Sequence, residues 1–178
     1  TAAEPVAPAA ENTKTHARQE PTIPKPEGNV QGLKPSQLTA LNRLFNRRFP
    51  AEDVYTVEQA RELALLSRAV GRQVGLLIDR KGRVQMVIVG EPGSILIPEL
   101  PRGRSGNERL RGLRLLHTHL TPGGISQEDL MDMLFLRLDA VIALTVNPVG
   151  DPVQWQAAHL LPSPSGGQRS EERRVGKE

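Results

Sequence analysis

Apolar residues recur at intervals of three and four in two stretches near the start of the folded sequence, which predicts two amphipathic helices. The first begins at Pro35, and its apolar stripe comprises Leu38, Leu41, Leu44 and Phe45. The second begins after Thr56, an N-cap residue with Gln59 in the capping-box position, and ends at Gly71. Each helix has one apolar stripe, so both are expected to pack on a shared core.

From Gln73 onward the pattern changes to short apolar runs, which are typical of buried strands. Six strands are predicted, over residues 74–78, 84–89, 94–97, 113–116, 140–146 and 154–161. A turn at 79–82 joins the first two into a hairpin. A third helix begins at Ser126, between the fourth and fifth strands, and carries Leu130, Met133, Leu134 and Leu138. This order predicts an α/β fold, an α+β sandwich around one mixed sheet.

The two ends of the chain lack any periodic apolar face. Residues 1–28 are rich in Pro and Ala, and we expect a disordered arm there. Residues 29–162 are expected to form one α/β domain, since a chain of 178 residues can bury one core of this size. Residues 163–178 are expected to be a disordered tail, whose composition also fits a read-through of foreign sequence.

Composition excludes several classes of function. The chain has no Cys, which rules out disulfides, cysteine nucleophiles, zinc fingers and iron–sulfur clusters and fits a reducing, cytoplasmic compartment. No apolar run reaches the ~18 residues that a membrane span needs, and no signal peptide stands at the start. The net charge of +3 is too small to indicate nucleic acid by itself, so the distribution of charge decides.

Positive charge is concentrated in the predicted loop before the fourth strand. Within thirteen residues that contain Glu108 as the sole acid stand Arg102, Arg104, Arg109, Arg111 and Arg114. Guanidinium groups on a flexible loop bind phosphate backbones and adapt to the shape of RNA. These arginines are therefore candidate RNA-binding residues, while a solvated loop without a partner stays open as the alternative.

Two histidines, His117 and His119, end the predicted fourth strand and point to the same side. Asp129, in the first turn of the next helix, can return toward them. Two imidazoles, one carboxylate and an open fourth position are typical of catalytic zinc, and Ser126 could orient a bound water or an oxyanion. In the structural alternative the histidines bond loop carbonyls, Ser126 is only an N-cap and Asp129 only favours the helix dipole.

This segment resembles the JAMM/MPN metalloprotease pattern His-x-His-Pro-x(6)-Ser-x-x-Asp, found also in RadC-like domains. The resemblance implies a JAMM/MPN-like fold with zinc at His117, His119 and Asp129. Leu120 replaces the Pro, and the spacing from the second His to Ser126 is one residue shorter. The Glu general base of the family falls at Arg72 or Gln73, neither of which can take a proton. Loss of a general base lowers the rate by roughly 10²–10⁴-fold, so a weak zinc site without hydrolysis is expected.

The folded region as a whole resembles a second family. The matching strings are Gly-Leu-Lys-Pro-Ser-Gln-Leu at 32–38, Arg-Gln-Val-Gly-Leu-Leu-Ile-Asp-Arg-Lys-Gly at 72–82, Val-Ile-Val-Gly at 87–90, Arg-Gly-Leu-Arg-Leu-Leu-His-Thr-His-Leu at 111–120 and Ala-His-Leu-Leu-Pro at 158–162. They are similar to the N-terminal extension carried by some bacterial HflX-type GTPases. That resemblance implies a cytoplasmic parent protein that binds the large ribosomal subunit and its RNA and hydrolyses GTP with Mg²⁺.

No phosphate loop is present in this chain. Gly176 and Lys177 suggest one, but Glu171 and Glu178 stand where the motif requires a Gly and a Ser or Thr. The GTPase domain is therefore expected to be missing, and with it any GTP or Mg²⁺ binding by this fragment. The first hypothesis is an accessory N-terminal domain of an HflX-type GTPase with no activity of its own. The alternative is a JAMM-type zinc-dependent metallopeptidase or isopeptidase. The oligomeric state stays open.

Overall fold

The computed structural model describes residues 23–98 and 110–160. The strands are β1 (Glu27–Gly28), β2 (Val74–Asp79), β3 (Val84–Val89), β4 (Leu113–His119), β5 (Ala140–Val146) and β6 (Pro152–His159). The helices are α1 (Pro35–Arg43), α2 (Val57–Val70) and α3 (Gln127–Leu136), and a 3₁₀ turn, Leu44–Asn46, follows α1. The mixed α/β fold that the sequence predicts is confirmed.

The six described strands form one sheet in the order β1-β3-β2-β4-β5-β6. The pairs β1–β3 and β4–β5 are parallel and the other three are antiparallel, so the sheet is mixed as predicted. The βαβ unit β4–α3–β5 provides the crossover that a parallel pair requires. This unit places the end of β4 beside the start of α3.

Side chains alternate across the sheet, so it has a separate apolar core on each face. On one face Leu76, Leu116 and Ile142 pack with residues of α1 and α2. On the other face Leu77, Leu115 and Val141 pack with Met133 of α3 and with Leu138. The odd-numbered residues of β4 therefore face α3, and His117 and His119 belong to that set.

Local signals predicted both ends of α2, the start of α3 and the turn between β2 and β3 correctly, whereas β4 runs to His119 and β6 spans Pro152–His159, not 113–116 and 154–161. Thr56 and Gln59 form the expected capping box of α2, and Gly71 ends that helix in the left-handed conformation at φ 67°. Ser126 caps α3 as predicted. The turn at 79–82 is closed by a hydrogen bond from Gly82 N to the carbonyl of Asp79 over 3.0 Å.

The predicted strand at 94–97 is wrong. These residues form an irregular segment in which Ile95 is buried and Leu96 is 80% exposed. A turn closed by a hydrogen bond from Glu91 N to the Ser94 carbonyl over 2.8 Å follows β3, and Ile95 then packs against Gly75 in the core on the α3 face. The segment therefore lies over the face of the sheet and not beside an edge.

The short strand β1 pairs in parallel with β3 through Glu27 and Gly28, opposite Ile88 and Val89. Ordered structure therefore begins before residue 29, where the sequence placed its start. The remainder of the predicted arm, residues 1–22, and the predicted tail lie outside the described residues. Among the described helices none is long and apolar enough to cross a membrane.

Candidate metal centre

Three side chains, two from the end of β4 and one from the start of α3, lie close together in space. The Nε2 atoms of His117 and His119 lie 2.8 Å apart. Asp129 places Oδ1 3.1 Å from His117 Nε2 and Oδ2 3.3 Å from His119 Nε2. One ligand atom from each residue falls within 4.8 Å of the others, so the three can hold one ion. We call His117, His119 and Asp129 the His-His-Asp cluster.

The strand fixes the two histidines. Because His117 and His119 are two residues apart on β4, both project from the face of the sheet that α3 covers. His117 lies between Gly75 of β2 and Ala143 of β5, and its side chain is fully buried. His119, at the strand end, is partly exposed. The cluster therefore has a buried side and a solvent-facing side.

The helix cap fixes the carboxylate. Ser126 N donates to Asp129 Oδ2 over 2.8 Å, and Asp129 N donates to Ser126 Oγ over 3.1 Å. This reciprocal capping box holds the first turn of α3 and turns the Asp129 side chain toward the strand. Ser126 is thus an N-cap, and through that role it also orients a residue of the cluster.

Asp129 stays ionised in this setting. Burial alone would raise its pKa, but hydrogen bonds to His117 and His119, the electrostatic influence of His117 and the Ser126 amide together hold that pKa well below its usual range. An ionised, largely buried carboxylate beside two imidazoles is a set of donors that suits a divalent cation.

The spacing of the cluster supports a fit to a metal ion. Tetrahedral zinc with bonds of about 2.0–2.1 Å keeps its donor atoms roughly 3.3 Å apart, close to the 3.1 and 3.3 Å that separate Asp129 from His117 and His119. The two Nε2 atoms, at 2.8 Å, are closer than that and form a single N–H···N hydrogen bond when one ring carries its proton on Nε2. Within the described residues His117 Nδ1 is buried without a hydrogen-bond partner, so no hydrogen bond at Nδ1 fixes the tautomer of this ring.

The cluster forms part of the wall of a cleft of about 530 Å³. His119, Ser126 and Asp129 line it, together with the loop at 121–124 and the irregular segment at 93–96. His117 is not among the lining residues and lies beneath them. The open side of the cluster therefore faces a space large enough for a small ligand or a short peptide segment.

Gln73 also lines this cleft, whereas Arg72 does not. The guanidinium of Arg72 donates to the carbonyls of Asn29 and Gln31 over 2.7 and 2.8 Å, so it holds the N-terminal segment instead. Arg72 and Gln73 are the two positions where the general base of the JAMM/MPN pattern was expected to fall. Of these two residues, the structure places Gln73 at the site. Its carboxamide has no titratable proton acceptor.

Two further carboxylates, Glu128 and Asp132, line the cleft, and sequence reasoning missed them. Burial raises the pKa of Asp132, and the charges of Asp129 and Glu128 raise it further. The signal was available, since Asp132 stands three residues after Asp129 and so shares its helix face. With Asp129 they make the cleft acidic.

A buried hydroxyl pair supports the cluster from the opposite face of the sheet. Thr118, between the two histidines, contacts Ser67 of α2 through their hydroxyl oxygens over 2.6 Å. Thr118 Oγ1 also accepts from Val74 N over 2.9 Å. Arg68 donates to the carbonyls of Leu120 and Val146 over 3.2 and 3.0 Å. These bonds tie the end of β4 to α2, and they join residues too far apart in sequence to be predicted.

The candidate RNA-binding arginines that the structure describes, Arg111 and Arg114, lie away from the cluster. Arg102, Arg104 and Arg109 are outside the described residues. Arg111 is exposed just before β4. Arg114 belongs to β4 rather than to the loop, and its Nη2 donates to the Pro50 carbonyl over 2.7 Å. Burial lowers the pKa of Arg114, so this arginine is part of the fold. It stands near the opposite end of β4 from His119.

No family model, curated protein or solved structure matches this chain. The relationships to JAMM/MPN domains and to HflX-type GTPases are therefore resemblances of sequence strings.

Proposed function

We propose that this chain is an accessory domain of an HflX-type GTP-binding protein associated with the large ribosomal subunit, and that its own site binds one zinc ion. The observation that carries the metal-binding proposal is the convergence of three ligand atoms within 4.8 Å beside an open cleft. His117 and His119 would hold the ion through Nε2, and Asp129 through its carboxylate. Bound zinc would supply Lewis-acid polarisation of a ligand that enters from the cleft.

The ligand set favours zinc over other divalent ions. Magnesium and calcium prefer sites built from oxygen atoms, whereas two imidazole nitrogens and one carboxylate oxygen are donors typical of zinc. Three protein ligands with a fourth side open to a cleft are the arrangement of a reactive site rather than of a closed structural one. The absence of Cys from the chain excludes a thiolate-rich structural zinc site.

Metal content tests this directly. The purified 178-residue chain, loaded with zinc and freed of excess ion, should retain one zinc per chain by mass spectrometry. His119→Ala should lose it, and His159→Ala, which removes an exposed histidine of β6, should keep it. Zinc far below one per chain in the wild type would contradict the proposal, and so would retention by His119→Ala.

The accessory role rests on different observations. The strings at 72–82 and 111–120 that resemble the HflX-type extension form the centre of the sheet, so the resemblance covers the fold rather than a loop. The chain also lacks a phosphate-loop motif. We therefore expect no GTP binding by calorimetry and co-sedimentation with large ribosomal subunits at low salt. Micromolar GTP affinity would contradict this role.

The second candidate is a JAMM-type zinc-dependent peptidase. The open cleft beside an ionised Asp129 favours it, because a substrate carbonyl could reach the ion. The carboxamide of Gln73 counts against it, because Gln73 stands where the family has its general base and cannot take a proton. Glu128 and Asp132 are the cleft carboxylates that could take a proton in its place. Cleavage of a peptide or isopeptide by the zinc-loaded wild type, abolished by His119→Ala, would make this candidate the function.

A further inference from the structure

Gln156, on the edge strand β6, contacts the loop that joins the two halves of the cluster. Its side-chain Oε1 accepts a hydrogen bond from Ile125 N over 3.1 Å. Gly124, with φ +67°, lies so close that an added Cβ would come within 2.1 Å of the same oxygen. The main chain of the loop therefore lies directly on the carboxamide, and the positive φ of Gly124 is one that glycine adopts without strain.

The sheet register brings Gln156 to this place. His117 of β4 pairs with Ala143 of β5, and Ala143 pairs with Gln156 of β6. Paired residues in neighbouring strands project to the same face, so all three stand in one row on the side of α3. The middle residue is a small alanine.

Two consecutive links, one along the chain and one hydrogen bond, connect this contact to Asp129. Ile125, which donates to Gln156, immediately precedes Ser126. Ser126 N in turn donates to Asp129 Oδ2 over 2.8 Å. A displacement of the loop at Ile125 therefore displaces the N-cap of α3 and the carboxylate that the cap orients.

We propose that Gln156 is a positioning residue of the metal site: its carboxamide holds the loop at 120–125 so that Ser126 directs Asp129 toward His117 and His119. This inference rests on the proposed zinc binding. Outer residues that fix the ligands of a metal typically change its affinity by about 10–100-fold when replaced. Gln156 lies far from the cluster in sequence and on an exposed strand, so the sequence alone gives no reason to select it.

The test compares variants of the full chain with Co²⁺ and Zn²⁺ as probes. Gln156→Leu keeps the size of the side chain but removes the acceptor, and we expect zinc affinity to fall at least about tenfold, together with a changed visible spectrum of bound Co²⁺. Gln156→Glu keeps an oxygen that can accept from Ile125 N and should restore both. Gln154→Leu removes the same residue type from the same strand, two positions away, and should bind like the wild type.

The outcomes separate the two proposals. If the wild type binds no metal, the proposed function and this inference both fail. If the wild type binds zinc and Gln156→Leu binds it equally with an unchanged Co²⁺ spectrum, only the positioning role is wrong. Equal losses in Gln154→Leu and Gln156→Leu would also overturn that role, since they would indicate a general effect on β6. Should Gln156→Leu not fold, Gln156→Asn, whose shorter carboxamide falls short of Ile125, replaces it with the same expectations.

Discussion

His117 and His119 point their Nε2 atoms at each other across 2.8 Å, with Asp129 within 3.3 Å of both. Without an ion, one ring donates its Nε2–H to the other, and a divalent cation would replace that hydrogen bond by binding both nitrogens and the carboxylate. Metal binding should therefore stabilise the fold, because an ion that binds the native state alone shifts the unfolding equilibrium.

Zinc should raise the melting temperature of the wild type. At a free concentration about 100 times the dissociation constant, the linkage relation gives about 2.7 kcal/mol of stabilisation. For a chain of this size that corresponds to roughly 5–10 °C. Scanning fluorimetry with and without zinc measures the shift. The double variant His117→Ala, His119→Ala serves as the control and should show no zinc-dependent shift; a shift of equal size in it would place the binding elsewhere.

Two matching capping boxes allow the roles of Ser126 to be separated. Ser126→Ala removes the Oγ that caps α3 but keeps the backbone amide that donates to Asp129 Oδ2, whereas Thr56→Ala removes the equivalent cap of α2. Each substitution should cost about 1 kcal/mol in the free energy of unfolding. Ser126→Ala alone should also weaken zinc binding, by about tenfold, because the uncapped first turn of α3 holds Asp129 less firmly.

Urea denaturation and metal titration of both variants check this prediction. A Ser126→Ala protein that loses stability but binds zinc as tightly as the wild type would show that the cap serves the helix only. The same weakening in Thr56→Ala would show a nonspecific effect of lost stability.

Gln73 decides between the two proposed functions. Gln73→Glu places a carboxylate of nearly the same shape in the cleft beside His119 and Asp129. If the wild type lacks peptidase activity because it has no general base at this position, zinc-loaded Gln73→Glu should cleave model peptides or isopeptides at least about 10²-fold faster than the wild type. Fluorogenic substrates measure the rates.

The matched control is Gln73→Glu combined with His119→Ala, in which the gain should vanish. Gln73→Asn should be as inactive as the wild type, since it changes the size of the side chain without adding a base. An inactive Gln73→Glu protein that still holds one zinc per chain would show that more than the base separates this site from a peptidase.

The turn between β2 and β3 predicts an acid-sensitive contribution to stability. Burial acts to raise the pKa of Asp79, but hydrogen bonds from Arg83 and from Lys81 N, together with the charge of Arg83, outweigh it and lower the pKa. A carboxylate with a depressed folded-state pKa stabilises the protein above its unfolded value near 4 and loses that effect as the pH falls through the folded value.

Asp79→Asn should therefore reduce the stability at pH 7, by about 1 kcal/mol for the weakened hydrogen bonds, and much less at pH 2. Denaturation of both proteins between pH 7 and pH 2 gives the difference. Asp151→Asn, an exposed aspartate in the β5–β6 turn, is the control. A difference between wild type and Asp79→Asn that stays constant with pH would contradict the linkage.

The parts of this fold that sequence predicts are those that neighbouring residues determine. The capping box of Ser126 and Asp129 spans three residues, and the shared side of His117 and His119 follows from strand alternation alone. To predict that these histidines and Asp129 converge, only one further assumption was needed, namely that α3 packs back over the end of β4. The candidate cluster was accessible from the sequence for this reason.

The parts that sequence missed depend on contacts between distant residues. Segment 94–97 has strand-like composition, but Ile95 packs over Gly75 on the face of the sheet that α3 covers. Gln156 and Ile125 are 31 residues apart, and Arg68 and Val146 are 78 apart. No local sequence pattern predicts such pairs, because each depends on which strands and helices are neighbours in the folded protein.

The last prediction concerns the arginines before β4. Arg102, Arg104 and Arg109 precede the strand, whereas Arg114 is built into it by its bond to Pro50. Replacing the first three with Gln should weaken association with large ribosomal subunits without unfolding the domain. Each lost phosphate contact should reduce the slope of log affinity against log salt by about one. Pelleting of the full chain with subunits over a salt series measures affinity and slope together.

A charge-matched variant separates local contact from overall charge. Lys25→Gln, Arg61→Gln and Arg137→Gln together also remove three positive charges, from exposed positions outside this segment. Because phosphate contacts act locally, this variant should keep the wild-type slope, although its net charge is the same as that of the first variant. Equal slopes for all three proteins would mean that the segment is a solvated surface. A wild-type chain that stays in the supernatant at low salt would remove the ribosomal subunit as a partner of this domain.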